Sequence, residues 1–185
     1  MLVDRAFYYS FLAKIFEKPI DLELLEELKS SELLLEFLGG NELKEWFYSN
    51  SDEKLLDELN IDFTSALMIN NPPFESSVLH NKTEILTGMQ NPAMFYYYKS
   101  GYKFLASEAV NKIPDHISTE FLFMYELIKN SDKQRELEFF SEHILTWVPP
   151  FMIALEDCFM TPFYKSIASF CAEFILKECE LQGEE

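Results

Sequence analysis

Two short segments place chemically capable side chains beside proline in a sequence whose pattern is otherwise helical. One is Pro72-Pro73-Phe74-Glu75-Ser76-Ser77 and the other is Pro114-Asp115-His116. A carboxylate next to an imidazole is the minimal pair for general acid–base work. A carboxylate is also the natural partner of a guanidinium, whose planar donors form a fork. The same residues have structural uses. Glu75 can cap a nearby helix start or pair with a basic side chain. Asp115 can accept the N–H of Ser118 at a helix N-terminus, with Pro114 fixing the chain's entry.

Little else carries chemistry. The chain has no glycine-rich phosphate loop, no G-x-S-x-G and no H-E-x-x-H. His80, His116 and His143 lack metal-ligand spacing with any Cys, so no metal site is expected. With 32 acidic residues, most acid pairs fall on solvated helix faces. Cys158, Cys171 and Cys179 are odd in number and form no C-x-x-C. They read as free thiols of a reducing compartment.

Helices must position these residues. Residues 5–17 carry Phe7, Phe11 and Ile15 at helical spacing, beside Tyr8, Leu12 and Phe16. Pro19 stops that helix and Asp21 caps the next. Ser31 opens a third, ended by Gly39-Gly40, and Asn41 caps 42–49. Asp52 caps a longer helix from 53 to about 69, with Leu55, Leu56, Leu59, Phe63 and Leu67 inside. Pro72-Pro73 then deny helix, leaving an extended loop. A short helix is expected within 78–87, and Asn91-Pro92 starts one that runs to Gly101. After the break at Asn111–Asp115, a helix runs from His116 to Asn130. Asp132 caps another to Trp147, Pro149-Pro150 kink or restart the chain, and Thr161-Pro162 begins the last. No run alternates with period two. The fold class is all-α, a compact bundle of about nine or ten helices, with a hinge at 107–115.

Composition narrows the function further. The chain has 185 residues, 48% hydrophobic and 16% aromatic, which excludes a disordered chain. Area scaling buries roughly 70% of the extended surface, enough for one core or two intimate sub-domains. The net charge of −17 opposes binding to nucleic acid or to an anionic membrane and favours basic peptides. No secretory signal and no membrane span are read, so a soluble cytoplasmic protein is expected.

Ile113-Pro114-Asp115-His116-Ile117, followed by Glu120-Phe121-Leu122-Phe123-Met124, resembles the E-x-P-D-H-[IL]-x-x-E-L-x-F-M signature of the TorD/DmsD/NarJ family of redox-enzyme maturation chaperones. The leading acid is absent here, and Phe121 stands where Leu is usual. Pro72–Val78 resembles that family's P-P-[YW]-E-S-V, and Asp62–Leu67 resembles its Y-x-x-L-F segment, without the usual Gly-Pro. Tyr98 with Gly101, His143 with Trp147 and Pro149, Phe163-Tyr164 and the opening Arg5–Ala13 region match in the same order.

The resemblance implies one TorD-like domain over 1–185, with halves 1–106 and 116–185 about the hinge. It implies a cytoplasmic chaperone, not an enzyme, that binds the N-terminal twin-arginine leader of a molybdopterin oxidoreductase catalytic subunit and delays export until the cofactor is inserted. It also implies a monomer or domain-swapped homodimer and no cofactor of its own, with weak guanine-nucleotide or molybdopterin contact known only through the family. For such a task Glu75 and Asp115 would meet guanidinium groups. His116 would position Asp115 or bond leader backbone, beside Pro114. Phe63, Leu67, Pro73 and Phe74 would wall an apolar groove. A NarJ-type chaperone for a non-exported subunit is the alternative. A small helical enzyme using Asp115 and His116 as acid and base is the remote one.

Overall fold

The computed structural model describes residues 5–80, 86, 88–104 and 113–183. Among these residues all regular structure is helical, apart from one isolated β-bridge. The helices are α1 (Arg5–Glu17), α2 (Leu22–Ser30), α3 (Glu32–Ser49), α4 (Asp52–Phe63), α5 (Glu75–His80), α6 (Pro92–Ser100), α7 (Ile117–Lys129), α8 (Lys133–Phe139), α9 (Leu145–Glu156) and α10 (Pro162–Gly183). Wide π-type turns extend α4 over Thr64–Asn70 and link α8 to α9 over Phe140–Ile144.

Local chemistry sets most boundaries. Asp21 accepts the Leu24 N–H at 3.0 Å and Asn91 accepts the Ala93 N–H at 3.0 Å, so both act as N-caps. At the start of α4 the cap is Ser51, which accepts from Lys54 N, rather than the expected Asp52. Gly101 ends α6 in the left-handed region at φ 69°. Gly39 and Gly40 break α3 internally, as their sequence signals. Gly40 has φ 66°, and a Cβ on Gly39 would fall 2.5 Å from Ser166 Oγ. Pro149-Pro150 do not restart the chain, because α9 runs through them.

The chain divides into two compact units, each drawn from several segments. The first comprises residues 1–18, 73–149 and 175–185; the second comprises 19–72 and 150–174. The division falls at 18/19 and 72/73, between helices, and within α9 and α10. Positions 107–112 of the expected hinge lie outside the described residues, as do 81–85 and 87 of the expected short helix.

In the first unit α1 lies along α7, where Tyr9 and Phe16 meet Phe121 at ring separations of 5.8 and 6.4 Å. Arg5 closes this unit at one end. Its guanidinium donates to Glu178 at 2.6 Å and to Glu136 at 2.7 Å, joining α1 to α10 and α8. The two acids hold the Arg5 proton more tightly than usual, against the opposing effect of burial. In the second unit α2, α3 and α4 pack with the start of α10, where Phe47 meets Phe163 and Phe63 meets Tyr164.

Candidate functional site

The two proline segments, some forty residues apart in sequence, meet in the first unit. Phe74 and His116 form an isolated antiparallel bridge. The Glu75 N–H donates to Asp115 O at 3.0 Å, and the Ile117 N–H donates to Pro73 O at 2.9 Å. Proline explains the local shape. Each segment is denied helix, so its backbone groups lack helical partners and find them in the other segment. A third tie comes from Tyr97 on α6, whose hydroxyl donates to Pro114 O at 2.7 Å.

The junction caps two helices at once. The Asp115 carboxylate accepts the Ser76 N–H at 2.8 Å, so it caps α5 rather than its own helix. The expected bond from Asp115 to Ser118 is therefore replaced. His116 takes that place on α7, with Nδ1 accepting the Ser118 N–H at 3.2 Å and lying 2.8 Å from Ser118 Oγ. Nδ1 as acceptor is the unprotonated ring nitrogen. Burial agrees with a neutral ring, pushing the His116 pKa down to about 4.

Behind the bridge lies a buried polar cluster. Asp115 and Glu120 have no exposed surface, and Glu75, His116 and His143 retain 5%, 5% and 4%. Glu75 Oε2 pairs with His143 Nδ1 at 2.7 Å. Trp147 Nε1 donates to Glu120 Oε2 at 3.0 Å. Aromatic rings enclose the imidazole: Phe139 stacks on it at 4.7 Å, and Tyr96 meets it edge-on at 5.0 Å. One donor atom from each of Glu75, Glu120 and His143 falls within 4.8 Å of the others. That spacing suits a cation site or a proton-sharing cluster. His143 Nδ1 and Glu120 Oε2 are already committed to directional hydrogen bonds, so the arrangement is that of a hydrogen-bonded chain.

The chain's relationships agree with what these segments signal. A family model described as nitrate reductase delta subunit matches residues 28–152, more than half of the chain and both segments of the junction. The chain belongs to that family. Its members are assembly chaperones of molybdoenzymes rather than catalysts, as the sequence reading expected. No solved structure gives a significant match. Among the described residues, no helix is long and apolar enough to cross a membrane.

Of the eight residues singled out from the family's sequence pattern, six assemble here: Pro73, Phe74, Glu75, Pro114, Asp115 and His116. Phe74 is half-buried and the other five are buried. Phe63 and Leu67 belong to the second unit, where both are buried and Phe63 packs on Tyr164. Site reasoning from sequence passed over Glu120, His143 and Trp147 as members of the cluster. Glu120 carried a signal, as the acid four residues after His116 on the first turn of α7. His143 carried none by spacing, because it meets Glu75 across 68 residues.

Proposed function

We propose that this protein is an assembly chaperone that holds the N-terminal segment of a molybdopterin oxidoreductase catalytic subunit until the cofactor is inserted. The family match carries this reading, because it spans both segments of the junction. The net charge of −17 supports a basic segment as guest and adds attraction that salt would screen.

Two forms of guest remain distinct. A twin-arginine leader would place guanidinium groups on Glu75 and Asp115, with His116, Pro114, Pro73 and Phe74 beside them; Phe63 and Leu67, buried in the second unit, are left out of this reading. In that case Glu75 must exchange His143 for the incoming arginine. A NarJ-type client lacks paired arginines and is held by apolar contact. The prior commitment of Glu75 to His143 and of Asp115 to Ser76 favours this second form. So do Val78 and Leu79, exposed on α5 directly after the junction. Neither form calls for a bound cofactor, a nucleotide or a second copy of the chain.

Calorimetric titration with the N-terminal peptide of a molybdopterin oxidoreductase catalytic subunit from the same genome, at low and high salt, tests both. Saturable binding is expected, with less than a threefold loss when the peptide's arginines become glutamine. A tenfold or greater loss, matched by Glu75→Gln, would assign the site to a twin-arginine leader. No saturable binding at either salt concentration would reject the chaperone–guest reading.

A further inference from the structure

The buried cluster has more oxygen acceptors than hydrogen-bond donors. Glu75, Glu120 and Asp115 bring six carboxyl oxygens to one enclosed region. Their partners are the Trp147 indole N–H, the His143 ring and the Ser76 N–H. Among the described residues Glu120 Oε1 and Asp115 Oδ1 meet no donor. An unpaired acceptor in such a place is costly, and an unpaired negative charge more so. The Glu120 carboxyl nevertheless faces the carboxyl of Glu75 at hydrogen-bonding range. Two carboxyls in that relation are satisfied when one of them supplies a proton.

We propose that Glu120 carries a proton at neutral pH and donates it to Glu75, closing a chain from Trp147 through Glu120 and Glu75 to His143 that latches the Pro73–Ser76 segment. The chain then runs without an orphan at its centre. Trp147 N–H donates to one Glu120 oxygen, the other Glu120 oxygen donates to Glu75, and His143 holds Glu75 from the far side. Glu75 is the first residue of α5 and its N–H forms part of the bridge to Asp115, so this proton bears directly on whether the two proline segments stay joined.

The surroundings act in a consistent direction. Burial raises the Glu120 pKa most, the Glu75 charge adds to it, the Trp147 bond opposes it and the Asp115 charge raises it again. Tyr97 faces the cluster from α6 as a neutral phenol, since burial and then Glu120 push its pKa well up. His116 is neutral at the same pH. Between the ordinary carboxylate range and the raised value, the native state holds one more proton than the unfolded chain. Stability is therefore complete below the ordinary range and declines as pH rises towards the raised value. Alkali removes the latch; acid does not. This inference stands apart from any reading of the guest.

The test is carboxyl ¹³C NMR of the full chain labelled at glutamate, with Glu120→Gln to assign the resonance. Glutamine can donate to Glu75 and accept from Trp147, so the variant keeps the chain without a titrating group. One glutamate carbon is expected at its protonated shift at pH 7, absent from the variant. Urea unfolding gives a second readout. From pH 6 to 9 the wild-type unfolding constant should rise relative to the variant, by at most about tenfold per pH unit. A Glu120 carbon that ionises in the ordinary carboxylate range would overturn the proposal, as would parallel unfolding curves. One tightly held divalent ion per chain, whose removal by chelator shifts that carbon, would also overturn it, because the ion would then be the neutralising group. Should the variant fail to fold, the wild-type titration still decides.

Discussion

Two regions of the molecule bury carboxylates by opposite means. In the second unit Asp62 has no exposed surface, yet both its oxygens are filled. Met160 N donates to one at 3.0 Å, while Thr161 N and Thr161 Oγ donate to the other at 2.8 and 2.6 Å. These donors stand at the N-terminus of α10, where backbone N–H groups are free and the helix dipole favours an anion. At the junction in the first unit, Glu75, Glu120 and Asp115 share fewer donors than they have oxygens. The contrast shows that the supply of donors, rather than burial alone, decides whether a buried acid can remain an anion. Arg5 supplies a third solution, in which a guanidinium serves Glu136 and Glu178 together.

The comparison can be broken first at Asp62. Replacing it with alanine strands three donors and should destabilise the protein by about 4 kcal/mol in denaturant unfolding. Asp62→Asn keeps one acceptor oxygen and should lose roughly half as much. Equal losses for the two variants would mean that the charge, not the set of donors, is what matters there.

The next largest effect sharpens the junction side and lies in acid. His116 is held neutral, with its pKa lowered from 6.5 to about 4. The unfolded chain therefore binds the extra proton first, and stability present above pH 6.5 is lost as pH falls. The loss should approach 3 kcal/mol, to order of magnitude, by about pH 4. His116→Asn keeps an N-cap acceptor and should remove most of that acid dependence. An unchanged acid limb would place the titrating group elsewhere.

The smallest effect is at Trp147. Trp147→Phe keeps most of the ring and deletes one N–H, with an expected loss of about 1.5 kcal/mol in thermal or urea unfolding at pH 7. Removing that donor should also raise the Glu120 pKa further, so the decline should extend to higher pH than in the wild type. A larger loss with an unchanged pH profile would make Trp147 a packing residue rather than a link in the chain.

The helices were largely legible because their signals are local. Asp21, Asn91 and Thr161-Pro162 mark starts within a few residues of the apolar spacing they serve, and Gly39-Gly40 and Gly101 mark ends. The misreadings were also local competitions. Ser51 displaced Asp52 as a cap, and one helix continued through Pro149-Pro150 where proline argued for a kink or a restart. The six assembled site residues were recognisable by type, because proline next to acid and imidazole is rare in helical sequence. Glu120 was signalled as an acid on the first turn of α7, but no local spacing paired Asp62 with Thr161 or His143 with Glu75.

By itself the sequence determined the all-α class, most caps and breaks, the acidic charge and the two proline segments, all of which depend on neighbours within a turn or two. Only the tertiary structure decided that Asp115 caps α5 while His116 caps its own helix. It alone placed Glu75 on His143 and Glu120 beside both. Those outcomes turn on which donors stand within about 3 Å of a given oxygen. Residues 39, 68 and 99 positions apart provide them, and no local rule fixes a partner at such separations.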